Sequence, residues 1–418
     1  MGKGFPFLLG LAAGVAGLAF AEDTNNKPAP VATSPSPPGS LPLNAMGAFS
    51  ELGAPANPTP LGRELDGMFF SVEYLNWRIK NGPLPNPMVT SGFPSQAAPG
   101  AVGQPGTQVL LGGQGGDSID YGPFSGLRLN GGFFLDEERR YSWEASGFLL
   151  EQRSAFFSLD SGPGTPVVTA PFINPQGNPS SFFAVAPNLQ GPTSIHVYST
   201  SRLSGGEANA RARFGTPGDG FSWNVLAGGR FAELEENLDY SLATSGSLNG
   251  INSQWLGTDQ FQCRNWFYGV QTGGGIQYDW NRFHAGAQGK IAIGQTQQNL
   301  AVAGSRLVSQ NGGAFLDSNG AIYSQPSNSG MYNQSAFAII PEVQARLGYD
   351  ITRRIQVFAG YDFFYWSSVL RPGNQVDSVL NPSQFNGGAL AGAARPEPQL
   401  TQSSIWAQGL SFGLEIKY

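Results

Sequence analysis

Cysteine is nearly missing from this chain. Cys263 is the single one among 418 residues, so a disulfide within the chain and a cysteine zinc cluster are both excluded. Histidine is as scarce: His196 and His284 are too few to suggest a metal site, and no cofactor is expected. Charged residues make up 12%, about half the usual share. The net charge of −6 gives a nucleic-acid partner no electrostatic support. After the N-terminal segment no stretch holds the roughly 18 continuous apolar residues of a helical span, so any membrane crossing falls to strands.

Glycine and aromatic residues are plentiful instead. The 58 glycines are about double the usual share, and aromatics reach 12%. Such a composition suits a β-rich protein with one face in lipid, and equally a secreted solenoid or sandwich. The start of the chain points to export. Met1-Gly2-Lys3 is basic, Phe5 to Phe20 is apolar and small, and Ala19-Phe20-Ala21 precedes Glu22, the pattern of a secretory signal cleaved after Ala21. No cysteine follows to anchor a lipid, and Pro6 stands where myristoylation needs Ser or Thr. From Glu22 to about Leu65 the chain is rich in Pro, Ala, Ser and Asn and has no hydrophobic period, as in an extended linker.

The end of the chain reads as one strand. Trp406, Leu410, Phe412, Leu414, Ile416 and Tyr418 share one parity, while Ala407, Gly409, Ser411, Gly413, Glu415 and Lys417 take the other. This resembles the C-terminal signal of bacterial outer-membrane β-barrels, an aromatic last residue with apolar residues at alternate places before it. The resemblance implies that barrel-assembly machinery engages the strand ending in Tyr418. Further segments of β character are expected at about 67–80, 119–135, 141–157, 198–214, 221–236, 265–279, 283–297, 335–350, 353–367 and 403–418. Their connections alternate. Asp136 to Arg140, Gly215 to Gly220, Asp279 to Arg282 and Asp350 to Arg353 are tight turns, and the other five connections run to roughly 25 to 40 residues. Alternation of short turns and long loops is a feature of outer-membrane barrels, with the short turns and both chain ends on the periplasmic side. The expected fold is therefore all-β: an up-and-down antiparallel transmembrane barrel of about ten strands over 66–418, behind a signal at 1–21 and a linker at 22–65. Its surroundings would be outer-membrane lipid.

The faces agree. Tyr141, Trp143 and Ala145 alternate with Ser142, Glu144 and Ser146; Ile339, Val343, Ala345 and Leu347 alternate with Glu342, Gln344 and Arg346. Aromatics gather at the ends of the apolar faces. Phe133, Tyr141, Trp143, Phe214, Trp223, Tyr278, Phe283, Tyr349 and Tyr418 lie near short turns, and Trp77, Phe157, Tyr198, Trp266, Tyr268, Tyr365 and Trp406 near long loops, as in two interfacial girdles. A hairpin with Asp279 opposite Arg282 would set His284 against Gln277 and Lys290 against Gln271, polar against polar.

A longer match follows from Met68 to Pro85 (MFFSVEYLNWRIKNGPLP), an acidic-Tyr-Leu-x-Trp strand with a Gly-Pro-Leu-Pro turn, and from Ser125 to Asp136. These stretches resemble the putative beta-barrel porin-7 family. The resemblance would cover about Asp66 to Tyr418, implies an outer-membrane barrel, and supplies no catalytic residues.

Glu207, Arg211, Arg213, Arg230, Lys290, Glu342 and Arg346 all take the polar phase and are expected to face the lumen. They would either line a passage and set its selectivity or pair with one another and fill a small barrel. Ten-stranded surface proteases use Asp and His at the outer rim. His284, with Asp279 as its nearest carboxylate, falls at the opposite end, and His196 falls in a loop, so no enzyme is expected. Glu235-Glu236 reads as a solvated strand end, and Gly112 to Gly116 as a flexible loop without the Lys of a phosphate cradle. Asn81 to Gly116 and Ser161 to Val197 contain no Asp, Glu, Lys or Arg. Such loops either pack over the mouth, meet neighbouring surface proteins, or stay unfolded. The sequence thus leaves two functions open: passive passage of small solutes through a narrow lumen, or a structural or adhesive surface barrel with a plugged one.

Overall fold

The computed structural model describes residues 67–113, 118–162, 166–215, 220–317, 320–385 and 388–417. The expected signal, the linker and Tyr418 lie outside them. Long strands follow one another along the chain: β1 (Met68–Ile79), β2 (Pro123–Phe134), β3 (Tyr141–Leu150), β4 (Thr193–Phe214), β5 (Gly220–Leu248), β6 (Ile251–Trp280), β7 (Phe283–Gln310), β8 (Gly330–Asp350), β9 (Ile355–Leu370) and β10 (Gln402–Lys417). Each pairs antiparallel with the next, and β10 returns to β1 from Phe69↔Lys417 to Ile79↔Ala407. One antiparallel sheet thus closes into a ring of about ten strands.

Alternation along each strand sorts the side chains into two faces. On β6, Trp266, Tyr268, Val270, Ile276 and Tyr278 point outward, and Val270 is 65% exposed. On β8, Tyr349, Leu347, Val343 and Phe337 do the same, with Leu347 at 69%. These side chains form an exposed apolar band of about ten residues per strand, the span of a tilted membrane strand. Above the band the same face turns polar: Arg264, Gln262 and Gln260 on β6, Gln295 and Gln297 on β7. Of the aromatics near the short turns, Tyr141, Trp143, Phe214, Trp223, Tyr278, Phe283 and Tyr349 are exposed on the outer face, and Phe133 is half-buried. Two aromatics of the expected upper girdle are not. Trp77 is 1% exposed and points inward, because β1 carries its outward parity on Phe70, Val72 and Tyr74. Phe157 packs against the inner core instead.

Two other expectations are corrected. The connection over 237–264 is no loop: β5 and β6 run on as 29 and 30 residues and meet at Asn249-Gly250, both with positive φ, the conformation of a two-residue primed turn. Alternation continues through it, with Leu238, Tyr240 and Leu242 inward and Asn237, Asp239 and Ser241 outward. Nothing in the backbone stops the strands at the membrane boundary. The β6–β7 register also differs by two residues. Asn281 takes φ 56°, the turn is Asn281-Arg282, and Trp280 pairs with Phe283, so Asp279 meets His284 and Gly273 meets Lys290. A shift of two preserves each residue's face.

Above the band, β4 to β7 rise as a wing. Arg153–Ser161 continues the line of β3 and pairs with the upper part of β4. The long connections fold against the inward face of this wing as a cap. Leu84, Met88 and Val89 of the first, Phe172 and Phe182 of the second, Ile322 and Tyr323 after β7, and Val376, Leu380 and Phe385 after β9 share one buried cluster with Leu238, Tyr240, Trp255, Phe261 and Cys263 of the wing. Small sheets hold the loops themselves, such as Val89–Gly92 between Gln108–Leu111 and Val167–Thr169. Having no charges to hydrate, the loops at 81–113 and 166–197 bury readily. Of the Gly112 to Gly116 run, residues 114–116 fall outside the described residues.

Asp259 of β6, well above the band, pins one cap segment. Its carboxylate accepts hydrogen bonds from the backbone N–H of Ile322 (3.0 Å) and Ser324 (2.8 Å) and from the Ser324 hydroxyl. Tyr323 packs edge-on against Tyr240, with ring centroids 5.1 Å apart, and donates to the Pro171 carbonyl (3.1 Å).

Two predictions follow from this arrangement. Val343 lies mid-band and 53% exposed on the outer face; Val343→Lys should destabilise the barrel by about 2–4 kcal/mol in lipid. Gln297→Lys, on the same face above the band, should be near neutral, both read from urea unfolding in bilayers. Burial raises the Asp259 pKa to about 6, outweighing the hydrogen bonds that lower it. A carboxyl that holds its proton more tightly when docked contributes most below its free pKa near 4, and loses that contribution as pH rises through 6. Hydrogen-exchange protection at Ile322 and Ser324, corrected for intrinsic rates, should therefore fall from pH 4 to pH 8. The fall should be at most about 3 kcal/mol in opening free energy, and Asp259→Asn should flatten it.

Candidate functional site

The interior of the ring is filled in layers. Next to the cap lies an apolar layer to which every strand of the ring contributes. Leu75, Trp77 and Ile79 come from β1, Phe124 from β2, Phe148 and Leu150 from β3, Leu203 from β4, and Ala232 and Leu234 from β5. Phe267 comes from β6, Ala292 from β7, Ala338 and Ile340 from β8, Phe364 and Trp366 from β9, and Ile405 and Ala407 from β10. Rings meet across the ring of strands: Phe148 of β3 against Phe364 of β9 (6.3 Å), Phe267 of β6 against Trp366 of β9 (6.1 Å). Each large side chain buried here contributes about 1.5–3 kcal/mol, so the layer is a packed core.

Where cap and apolar layer meet, Arg371 and Glu236 form a buried two-pronged pair (2.8 and 2.7 Å), and Arg371 also donates to the Asn81 carbonyl (2.7 Å). Glu236 is therefore no solvated strand end. Its neighbour Glu235, on the outer face, pairs with Arg202 (2.8 Å) and Arg264 (2.7 Å). The expected loop position of His196 is corrected too: it sits on β4, stacked on Phe156 and 2.9 Å from the Ser158 hydroxyl.

Toward the short turns follows an ionic layer. Lys290 of β7 reaches Glu207 of β4 (2.7 Å) and Glu342 of β8 (3.2 Å). Arg230 of β5 pairs with Glu342 and lies 3.7 Å from Glu207. Beside them Arg128 of β2 holds Glu73 (3.1 Å) and Asp362 (2.9 Å), and Arg346 of β8 also pairs with Glu73. Strands β5 and β8 are not neighbours in the sheet, so Arg230 and Glu342 meet only across the interior. Four cations face four carboxylates. The arginines also stack on the apolar layer, Arg128 over Trp77 (5.3 Å) and Arg230 over Phe364 (5.2 Å). Paired and bonded charges of this kind persist in a low-dielectric interior, whereas removing one partner strands the other at about 3–5 kcal/mol.

Of the seven candidates, Glu207, Arg230, Lys290 and Glu342 form one cluster, and Arg346 joins the adjoining one through Glu73. Arg211 and Arg213 stand apart, nearer the short turns. Arg211 grips Glu144 through two bonds (2.8 and 3.0 Å) and donates to Asn224 (2.7 Å). Arg213 donates to the Ser222 hydroxyl (3.0 Å) and lies 3.7 Å from Asp279. Glu73, Arg128, Asp362 and Glu144 were not among the sequence candidates. Their signal was the same alternation: Glu73 sits between outward Val72 and Tyr74.

Below the ionic layer lies a cup of about 520 Å³, walled from Glu207, Lys290 and Arg346 down to Met68, Arg139, Arg140 and Lys417 beside the short turns. His284 lines it between two carboxylates, with Nδ1 2.8 Å from Asp279 and Nε2 2.8 Å from Asp350. Both pairs belong to the short-turn end.

Several solved structures are similar in strand arrangement. The outer membrane protease OmpT of Escherichia coli is 9% identical, over 85% of this chain and 97% of that one, with a TM-score of 0.42. A FadL homologue of Pseudomonas aeruginosa (10%, 83% and 89%, TM-score 0.19) and the toluene transporter TodX of P. putida (8%, 84% and 90%, TM-score 0.19) are more distant. No curated protein matches the chain. The family model described as Putative beta barrel porin-7 matches residues 69–418, most of the chain and all of the described ring but Met68. This chain belongs to that family of porin-like outer-membrane β-barrels.

Proposed function

We propose that the protein is a closed, non-enzymatic outer-membrane barrel that acts through its cap, as a structural or surface-contact protein, and does not pass solutes through its lumen. One observation carries the reading: side chains from every strand of the ring meet in the apolar layer, and a charge-balanced ionic layer backs it. A passage for hydrated solutes needs a continuous polar path, and packed aromatics deny one. The cap supports the second half. Its loops are ordered by their own sheets and by Asp259 and Arg371. They also leave Phe93, Val102, Val109, Ile173 and Leu390 exposed, apolar groups of the kind that partner proteins cover. Barrel-assembly machinery would meet the chain through β10, whose outward face carries Trp406, Leu410, Phe412 and Leu414.

Planar-bilayer recording of the purified protein tests the closed lumen. The expected trace shows no conductance step above leak at any voltage. Regular ohmic steps from the unmodified protein would overturn the reading and restore passive passage of small solutes. Trp77→Ala combined with Phe364→Ala removes the two rings under Arg128 and Arg230, and should admit current if it still folds.

A further inference from the structure

We propose that the cup at the short-turn end binds a small neutral solute rich in hydroxyl groups, a sugar or polyol. The inference goes beyond the proposed function and is independent of what the cap contacts. The cup's volume, about 520 Å³, lies within the roughly 300–1,000 Å³ of small-molecule sites. Its inner end stops on the ionic layer, and a dead end of this size suits retention better than transit.

Charge does not select the ligand, because the charged groups of the wall answer one another. Lys290 is shared by Glu207 and Glu342, and Arg346 is held by Glu73. Arg211 pairs with Glu144, Arg140 with Glu138 (3.0 Å) and Lys417 with Glu415 (3.3 Å). Arg213 lies beside Asp279, His284 sits between Asp279 and Asp350, and Arg139 covers the Phe134 ring. An ion of either sign would have to displace such a partner.

What the wall leaves open is amide. Register sets three amides in one inward row: Asn224 of β5 and Gln288 of β7 each face Gly275 of β6, and Gln288 faces Gln344 of β8. Gly275 carries no side chain, so space remains between Asn224 and Gln288. Arg211 donates to the amide oxygens of Asn224 (2.7 Å) and Gln288 (3.2 Å), which leaves both amide nitrogens as donors. Gln344 donates to Glu342 (2.6 Å), Gln277 to Asp279 (2.6 Å) and Gln356 to Asp350 (3.0 Å), which leaves their amide oxygens as acceptors. All five residues line the cup, and these free ends make no other hydrogen bond among the described residues. Donors and acceptors thus stand side by side. A hydroxyl group both donates and accepts, whereas a carboxylate only accepts and an ammonium only donates. A solute carrying several hydroxyls is therefore the chemistry that satisfies both kinds of group at once.

Saturation-transfer difference NMR on the full chain, in a detergent without a sugar headgroup, tests the site. Glucose and sucrose are the probes, and glycine betaine, neutral overall but without a hydroxyl, is the control. At least one sugar should bind saturably at millimolar concentration and glycine betaine should not. Glucose alone would assign a site for one ring, and sucrose binding a site for two. Asn224→Asp keeps the acceptor for Arg211 but removes the free donor, and should weaken sugar binding about three- to tenfold. Gln344→Met, which removes an acceptor from the same row, should do likewise and serves where Asn224→Asp does not fold. Arg395→Gln, on the cap, should change nothing. Absence of a saturable signal from either sugar would overturn the proposal, as would equal binding of glycine betaine or an equal loss in Arg395→Gln. Silent bilayers bear on the lumen reading alone, so the two ideas fail separately.

Discussion

Hydrocarbon offers no hydrogen bonds, and that constraint governs this protein. A strand that crosses lipid must satisfy its backbone on both sides, so a sheet in a membrane has to close. Here the closure is made by the first and last described strands, and the pairing Val72↔Leu414, Tyr74↔Phe412 and Asn76↔Leu410 is as regular as any between sequence neighbours. Closure then fixes the chemistry of both faces. With one parity given to lipid, the charged side chains within the band are driven inward, where a small ring has little room for water.

Confinement explains the layers. Charges sent inward by parity must find each other, and the ring brings Arg230 and Lys290 to Glu207 and Glu342 from four different strands. Arginines stacked on Trp77 and Phe364 join that network to the apolar layer. The outer cap extends the same logic beyond the membrane. The wing strands carry inward apolar residues that would be wetted if left bare, and Pro- and Gly-rich loops, the first two of them uncharged, cover them. Arg371 and Glu236 then satisfy one another, and the Asn81 carbonyl, at the seam.

Much of this was legible in the sequence because period two survives in every strand. The alternation of β10, the short turns at Asp136 to Arg140 and Asp350 to Arg353, and the seven polar-phase residues all reflect local pattern, and local pattern is what a strand obeys. What the sequence did not show depended on contacts between distant residues. Glu236 reads as a solvated end until Arg371, 135 positions away, arrives. Trp77 reads as a girdle residue by its distance from the loop, yet its parity matched Glu73 and Ser71 all along. The length of β5 and β6 was misjudged for another reason: a strand that leaves the membrane keeps its alternation, and only the outward residues change from Tyr268 and Val270 to Gln260 and Gln262.

Ring closure can be observed directly. Nuclear Overhauser contacts between the backbone amides of β1 and β10, recorded on the full chain in lipid nanodiscs, test it most simply. The account predicts contacts in the antiparallel register of Val72 with Leu414 and Tyr74 with Phe412, and slow hydrogen exchange for both strands. Missing contacts, together with exchange in β1 or β10 as fast as at a bare sheet edge, would contradict a closed barrel, and with it the filled interior and the membrane assignment.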